Sequence, residues 1–142
     1  MQSITITRPV IIKVRVTEGY KKVVATELQN LVQRLDQEIQ RLEHQAKYLQ
    51  EQGSKRDIQN IQVAQQKIAV EIQQRIQKKQ QHLDKIKDIG RLTPGTEVVH
   101  GRVESLVDLK VGDNWNQVMN VELLIEDGQI LEIKQGFFDP HN

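Results

Sequence analysis

Residues 25–49, ATELQNLVQRLDQEIQRLEHQAKYL, decide the architecture of this 142-residue chain, because they carry an unbroken heptad repeat. One stripe of that repeat holds leucine every seven residues and a small or β-branched residue between leucines: Leu28, Leu35, Leu42 and Leu49, with Ala25, Val32, Ile39 and Ala46. This spacing is typical of knobs-into-holes packing between helices. The stripe must be buried against a partner helix, so the sequence predicts a coiled coil over residues 20–51.

A second helix of similar length follows the first. Thr17 is an expected N-cap for the first helix, and Gly53 is an expected end. Ser54 then predicts the start of a helix that continues to about Ile89, before the helix breakers Gly90 and Pro94. Two equal helices joined by a short loop indicate an antiparallel hairpin, with its tip near residues 52–55.

The hydrophobic pattern also predicts which residues face each other in the hairpin. Folding the chain about position 53.5 pairs apolar residues of the two helices: Leu49 with Ile58, Ala46 with Ile61, Ile39 with Ile68, Leu35 with Ile72, and Val32 with Ile76. The same register sets Lys79 opposite Leu28. Tyr48, Val63 and Val70 then point away from the seam, and they are either scattered surface residues or a contact face for a partner.

Both ends of the chain have the alternating pattern of β-strands. Alternation from Ile4 to Val16 predicts an N-terminal strand that is split or bent at Pro9. Four short strands are predicted over residues 97–103, 106–111, 118–126 and 129–133, with a two-residue hairpin loop at Asp127-Gly128.

An antiparallel hairpin brings residue 17 close to residue 90, so the two chain ends are expected to form one discontinuous unit. The predicted fold class is α+β. A long antiparallel coiled-coil hairpin, residues 18–90, is inserted in a small antiparallel β-barrel or sheet formed by residues 1–17 and 91–142.

Charge is unevenly distributed although the net charge is only +1. Residues 54–90 hold eight basic and four acidic residues, whereas residues 91–142 hold four basic and nine acidic ones. The basic side chains of the second helix are either an ordinary solvated face or candidate contacts to an RNA phosphate backbone: Lys55, Arg56, Lys67, Arg75, Lys78, Lys79, Lys85 and Lys87.

Motifs that carry chemistry are missing from the sequence. The chain has no cysteine, its eight glycines are isolated, and its four histidines are scattered. These features predict no catalytic residue, no cofactor site and no metal site, and therefore no enzyme. The lack of a long apolar run predicts that the sequence has no signal peptide and no membrane span. A cytoplasmic protein is therefore expected.

Two aromatic features near the C-terminus have open interpretations. Trp115 follows the turn residues Gly112-Asp113-Asn114, and its ring either caps the end of the predicted barrel or forms a contact with a partner. Phe137-Phe138 either docks on the β unit or remains free for another chain.

Several sequence motifs resemble the bacterial YlqD family. They are Val-Thr-Glu at 16–18, Thr-Pro-Gly-Thr-Glu-Val at 93–98, Gly-Arg-Val-Glu at 101–104, Val-Gly-Asp-Asn-Trp at 111–115 and Ile-Glu-Asp-Gly-Gln-Ile-Leu-Glu-Ile at 125–133. The resemblance implies a bacterial, cytoplasmic protein and transfers no catalytic residue, because the family has no assigned function. Family context also suggests an association with ribosome maturation.

These observations predict a non-enzymatic interaction or scaffold protein. It is expected to act as a homo-oligomer whose coiled-coil arm contacts an unknown protein partner, with Tyr48, Val63, Val70 and Trp115 as candidate contacts. The alternative is an RNA- or ribosome-associated factor that binds phosphate through the basic face of the second helix. A holdase chaperone is disfavoured because the hairpin tip, residues 50–57, is polar.

Overall fold

A computed structural model describes residues 2–52 and 58–136. Two long helices lie between the first strand and the remaining elements, in the order β1 (Ser3–Arg15), α1 (Glu18–Gln52), α2 (Ile58–Arg91), β2 (Glu97–Lys110), α3 (Trp115–Met119), β3 (Val121–Glu126) and β4 (Gln129–Gln135). The chain forms two compact units. The sheet unit consists of residues 1–20 and 92–142, and the helical unit of residues 21–91.

The sheet unit contains a four-stranded sheet in the order β2-β1-β3-β4. As predicted, strands from both chain ends pair in one sheet, since β1 pairs with β2 and β3. The predicted barrel is wrong because β2 and β4 are the two edges of an open sheet. The predicted all-antiparallel pairing is also wrong. The connection through α3 carries the chain from β2 to the far side of β1, where β3 runs parallel to β1 over Val10–Val14.

Two long strands replace the shorter strands that the sequence predicts. β1 runs through Pro9 without a break, because β3 pairs with β1 only from Val10 onward. At Pro9, β1 therefore pairs with β2 alone. The proline is tolerated there because no described strand lies on the β3 side of β1 at this position to accept a hydrogen bond from a backbone N–H. β2 is also a single strand of 14 residues, with a register shift that leaves His100 as an extra residue beside Gly101.

Two local predictions are confirmed at one end of the sheet. Asp127 and Gly128 have φ angles of 47° and 80°, as a two-residue turn between β3 and β4 requires. Thr17 is the N-cap of α1, since its Oγ1 accepts a 3.0 Å hydrogen bond from the backbone N–H of Tyr20. The same hydroxyl donates to Oδ1 of Asp127 at 2.6 Å, which links the cap to the turn.

The helical unit contains helices of 35 and 34 residues that run antiparallel. Three contacts show this order: Lys21 Nζ to the Gly90 carbonyl at 3.1 Å, Asp36 to Lys79 at 2.7 Å, and Glu38 to Arg75 at 2.8 Å. The predicted register is wrong, because it places Ala69 opposite Glu38. Arg75, which lies six residues further along α2, pairs with Glu38 instead. Lys79 likewise pairs with Asp36 rather than facing Leu28.

The seam between the helices is buried mainly on the α1 side. Leu35, Ile39 and Leu42 are buried, whereas α2 has no buried residue. Ile58 and Ile76, which the sequence predicts in the seam, are exposed. The predicted tip, the Ser54 cap and Phe137-Phe138 fall outside the described residues.

Candidate interaction surfaces

One face of the sheet is mostly apolar, with a buried centre and exposed side chains towards its edges and ends. Residues paired across strands share a face, and the pairs Val10 with Val103, Val10 with Val121, and Ile12 with Leu123 define this one. Its centre is buried at Val10, Val14 and Val121. Around that centre lies a set of strongly exposed side chains, which we call the exposed sheet face: Ile4 (56% exposed), Val103 (48%), Ile130 (58%) and Ile133 (59%).

The opposite face of the sheet carries charge. Lys13 Nζ lies 3.1 Å from Oε1 of Glu122, whose side chain is only 5% exposed. Arg15 lies between Glu97 and Glu126, at 3.8 Å and 3.9 Å. Because strand residues alternate between faces, these ion pairs are directed away from the exposed sheet face. Sequence reasoning missed the exposed sheet face, since a closed barrel would have enclosed the same apolar residues.

Trp115 lies at the start of α3, a helix of five residues. Asn114 is its N-cap, and the Asn114 side chain accepts a hydrogen bond from the Gln117 backbone at 3.2 Å. The Trp115 side chain is exposed, so its ring does not close the end of the sheet. The capping interpretation is therefore wrong, and a contact with a partner stays a prediction.

The remaining candidate partner contacts lie on α1 and α2 and do not form one surface. Tyr48 lines a groove of about 420 Å³ together with Leu49 and Ile68. Val63 and Val70 are both exposed and lie seven residues apart, on the same side of α2. That side is about 120° or more around the helix axis from Arg75 and Lys79, which contact α1. Val63 and Val70 therefore face away from α1.

The structure separates the predicted basic face into groups. Arg75 and Lys79 form ion pairs with α1. Lys67, Lys78 and Lys85 are exposed at spacings of eleven and seven residues, which places all three on one side of α2. Lys87 is exposed on another side, and Lys55 and Arg56 fall outside the described residues.

Two kinds of site are not found in the part of the chain that the structure describes. Among residues 2–52 and 58–136, no group of three or more His, Asp or Glu side chains is arranged to hold a metal ion. Within the same ranges, no helix is both long and apolar enough to cross a membrane.

Comparisons with known proteins identify relatives of the whole architecture. The family model described as YlqD protein matches residues 4–134. A crystal structure of a protein of unknown function from Synechococcus sp. WH 8102 is similar over 94% of this chain and 95% of that chain, with a TM-score of 0.82 and 24% sequence identity. No curated protein matches the sequence. These comparisons establish the family and the fold.

Proposed function

The chain belongs to the YlqD protein family, and we propose that it is a non-enzymatic interaction protein that pairs with a second copy through the exposed sheet face. The observation that carries this proposal is the apolar set Ile4, Val103, Ile130 and Ile133, each about half exposed or more. Exposed apolar side chains on one sheet face, such as the β4 residues Ile130 and Ile133, are typical of a protein–protein interface.

The small size of the sheet unit favours a second copy of the chain as the partner that covers the exposed sheet face. Few of its side chains are buried: Val10, Val14, Val16, Val121, Glu122 and Leu124. A unit this small has a limited hydrophobic core, and oligomerisation commonly supplies the missing burial. The exposed sheet face can meet an identical face across a two-fold axis, because its exposed side chains are apolar. Arg8 shares this face, but it already donates to Ser105 and to the Val118 carbonyl. Each such side chain contributes about 1.5–3 kcal/mol when fully buried.

In this proposal the two long helices form a coiled-coil arm that contacts a protein partner. The 420 Å³ groove at Tyr48 and Leu49 offers an apolar contact surface on that arm. Trp115 is a further candidate contact on the sheet unit. Cysteine-free composition is compatible with a cytoplasmic setting.

Light scattering after size-exclusion chromatography tests the pairing. We expect the wild type to have about twice the 16.5 kDa chain mass. The double variant Ile130→Glu with Ile133→Glu should be monomeric, because it places charges in the apolar contact. Glu132→Lys is the matched control, since Glu132 lies between these residues on the opposite face of β4 and should leave the mass unchanged. A wild-type mass of one chain at all concentrations would contradict the proposal.

A second candidate function is RNA binding through α2. The supporting observation is the exposed row Lys67, Lys78 and Lys85, which spans about 27 Å at 1.5 Å per residue. These three cations form no ion pair with any described residue. Such a row suits contact with successive backbone phosphates, and this kind of binding weakens steeply with salt. Reversing the three charges should abolish the binding of a short RNA and remove its salt dependence. Reversing Lys87 should have little effect. Equal effects of the two changes would exclude this row as the contact.

A further inference from the structure

A second groove on the helical unit combines unpaired cations from both helices. It has a volume of about 380 Å³. Its lining includes the apolar side chains of Leu31 and Leu35. The polar residues of the lining are Arg34 and Glu38 of α1 with Gln74, Arg75, Lys78 and His82 of α2. The groove therefore brings polar groups of both helices to one place, which the predicted register would have separated.

The charges lining this groove do not cancel. Arg75 is occupied, because its Nε donates to Glu38 at 2.8 Å and its Nη1 to the Glu71 carbonyl at 3.2 Å. That ion pair accounts for the single carboxylate of the groove. Arg34 and Lys78 form no ion pair with any described residue. Two positive charges remain without a counter-charge when His82 is neutral.

His82 adds a buried polar atom that lacks a partner. Its Nδ1 is buried and has no hydrogen-bond partner among the described residues. Buried polar atoms in folded proteins are usually hydrogen-bonded, because leaving one unpaired is unfavourable. An imidazole nitrogen that carries a proton can donate to an anionic oxygen. The groove thus combines one buried ring nitrogen that lacks a hydrogen-bond partner with two cations that lack an anion among the described residues.

We propose that this groove binds a phosphate group. Arg34 and Lys78 supply the charge that balances a phosphate dianion, and Nδ1 of His82 donates a hydrogen bond to one of its oxygens. This inference is separate from the pairing through the exposed sheet face, since phosphate binding is measured on the full chain without a protein partner. The same group could belong to free phosphate or to a nucleic-acid backbone.

Titration with inorganic phosphate, followed by proton NMR of the histidine rings, tests the site. The chain has four histidines, and His82→Gln identifies the His82 ring signals by their loss. We expect the His82 signals to shift on phosphate addition, more than those of the other three. Arg34→Gln and Lys78→Gln should each weaken binding about tenfold. Lys87→Gln is the matched control, because Lys87 is exposed on α2 outside the groove, and it should bind like the wild type.

Far-UV circular dichroism should show that the Arg34→Gln, Lys78→Gln and Lys87→Gln variants keep their helices. A loss of phosphate binding then reports on the groove and not on unfolding. Unshifted His82 signals at 50 mM phosphate would overturn the proposal, as would equal affinity in the Arg34, Lys78 and Lys87 variants. Acetate that binds more tightly than phosphate would also overturn it. A short oligouridylate that displaces phosphate would support a nucleic-acid source for the phosphate group, and phosphate binding without displacement would support free phosphate.

Discussion

At the scale of single residues, the sheet unit depends on groups that the sequence leaves undistinguished from their neighbours. Residues 91–142 contain nine acidic residues, and Glu122 is one of them. The Glu122 side chain is buried, and it forms an ion pair with Lys13 that compensates its charge. Arg8 has a comparable role. Its Nε donates to Ser105 of β2 and its Nη1 to the Val118 carbonyl of α3, at 3.1 Å and 2.6 Å. These contacts connect elements far apart in the chain.

Removing the partner of Glu122 should destabilise the sheet unit. Lys13→Met leaves a buried carboxylate uncompensated, and we expect a loss of about 2–3 kcal/mol in the free energy of unfolding, measured by urea denaturation. The loss lies at the lower end of the range for buried pairs because a third of the Lys13 side chain is exposed. Arg15→Met, whose two carboxylate partners are 3.8–3.9 Å away and more exposed, should cost less than 1 kcal/mol. Equal losses would show that the Lys13–Glu122 pair has no special role.

Gly136 at the end of β4 should not tolerate a side chain. Its φ is 75°, and an added Cβ would lie 3.0 Å from Cγ and 3.3 Å from Cα of Gln117. Gly136→Ala should therefore lower the free energy of unfolding by about 1–3 kcal/mol. Gly101→Ala is the control, since nothing lies within 4 Å of its added Cβ, and it should be close to neutral. A neutral Gly136→Ala would contradict the close approach of β4 to α3.

At the scale of elements, the helices illustrate how a repeat leaves alternatives open. The heptad pattern predicts α1 and its apolar stripe, and Leu35, Ile39 and Leu42 are buried as expected. The register differs from the predicted one by six residues at the Glu38–Arg75 pair. Because apolar residues recur along both helices, hydrophobic pairing alone does not select one register. Specific ion pairs then accompany the register that the helices adopt.

Burial along α1 gives a direct test of the helical seam. Leu42 is 3% exposed, and Leu42→Ala should lower the free energy of unfolding by about 2–4 kcal/mol, measured by the loss of helical circular dichroism in urea. Val63→Ala on the exposed side of α2 should change it by less than about 0.5 kcal/mol. A small effect of Leu42→Ala would indicate that α1 is not held by this seam.

At the scale of the whole molecule, the proposed pairing through the exposed sheet face predicts that the stability of the sheet unit depends on assembly. Trp115 is the single tryptophan and lies in this unit, so its fluorescence reports on the unfolding of the sheet. The helices dominate the far-UV signal and report separately on the helical unit.

The unfolding temperature of the sheet unit should therefore rise with protein concentration. For an assembly that dissociates on unfolding, a hundredfold increase in concentration should raise the midpoint of the Trp115 transition by several degrees, because mass action favours the paired state. The Ile130→Glu and Ile133→Glu double variant should lose this dependence, and Glu132→Lys should retain it. A wild-type midpoint independent of concentration would argue against pairing through this face.

The sequence by itself determined the elements that depend on neighbouring residues. Heptad spacing specifies α1, the Thr17 hydroxyl caps its start, and Asp127-Gly128 specifies the hairpin turn, because caps, turns and helical stripes involve only a few residues of local geometry. Alternation likewise predicts β1 and β4 near their observed positions.

Only the tertiary structure decided the features that depend on distant partners. The place of β1 between β2 and β3, the parallel β1–β3 pair and the open edges follow from the path of the α3 connection, which no local pattern encodes. The exposed sheet face and the groove lined by Arg34, Lys78 and His82 arise in the same way. Each gathers residues from separate elements, and their positions depend on strand order and helix register rather than on sequence spacing.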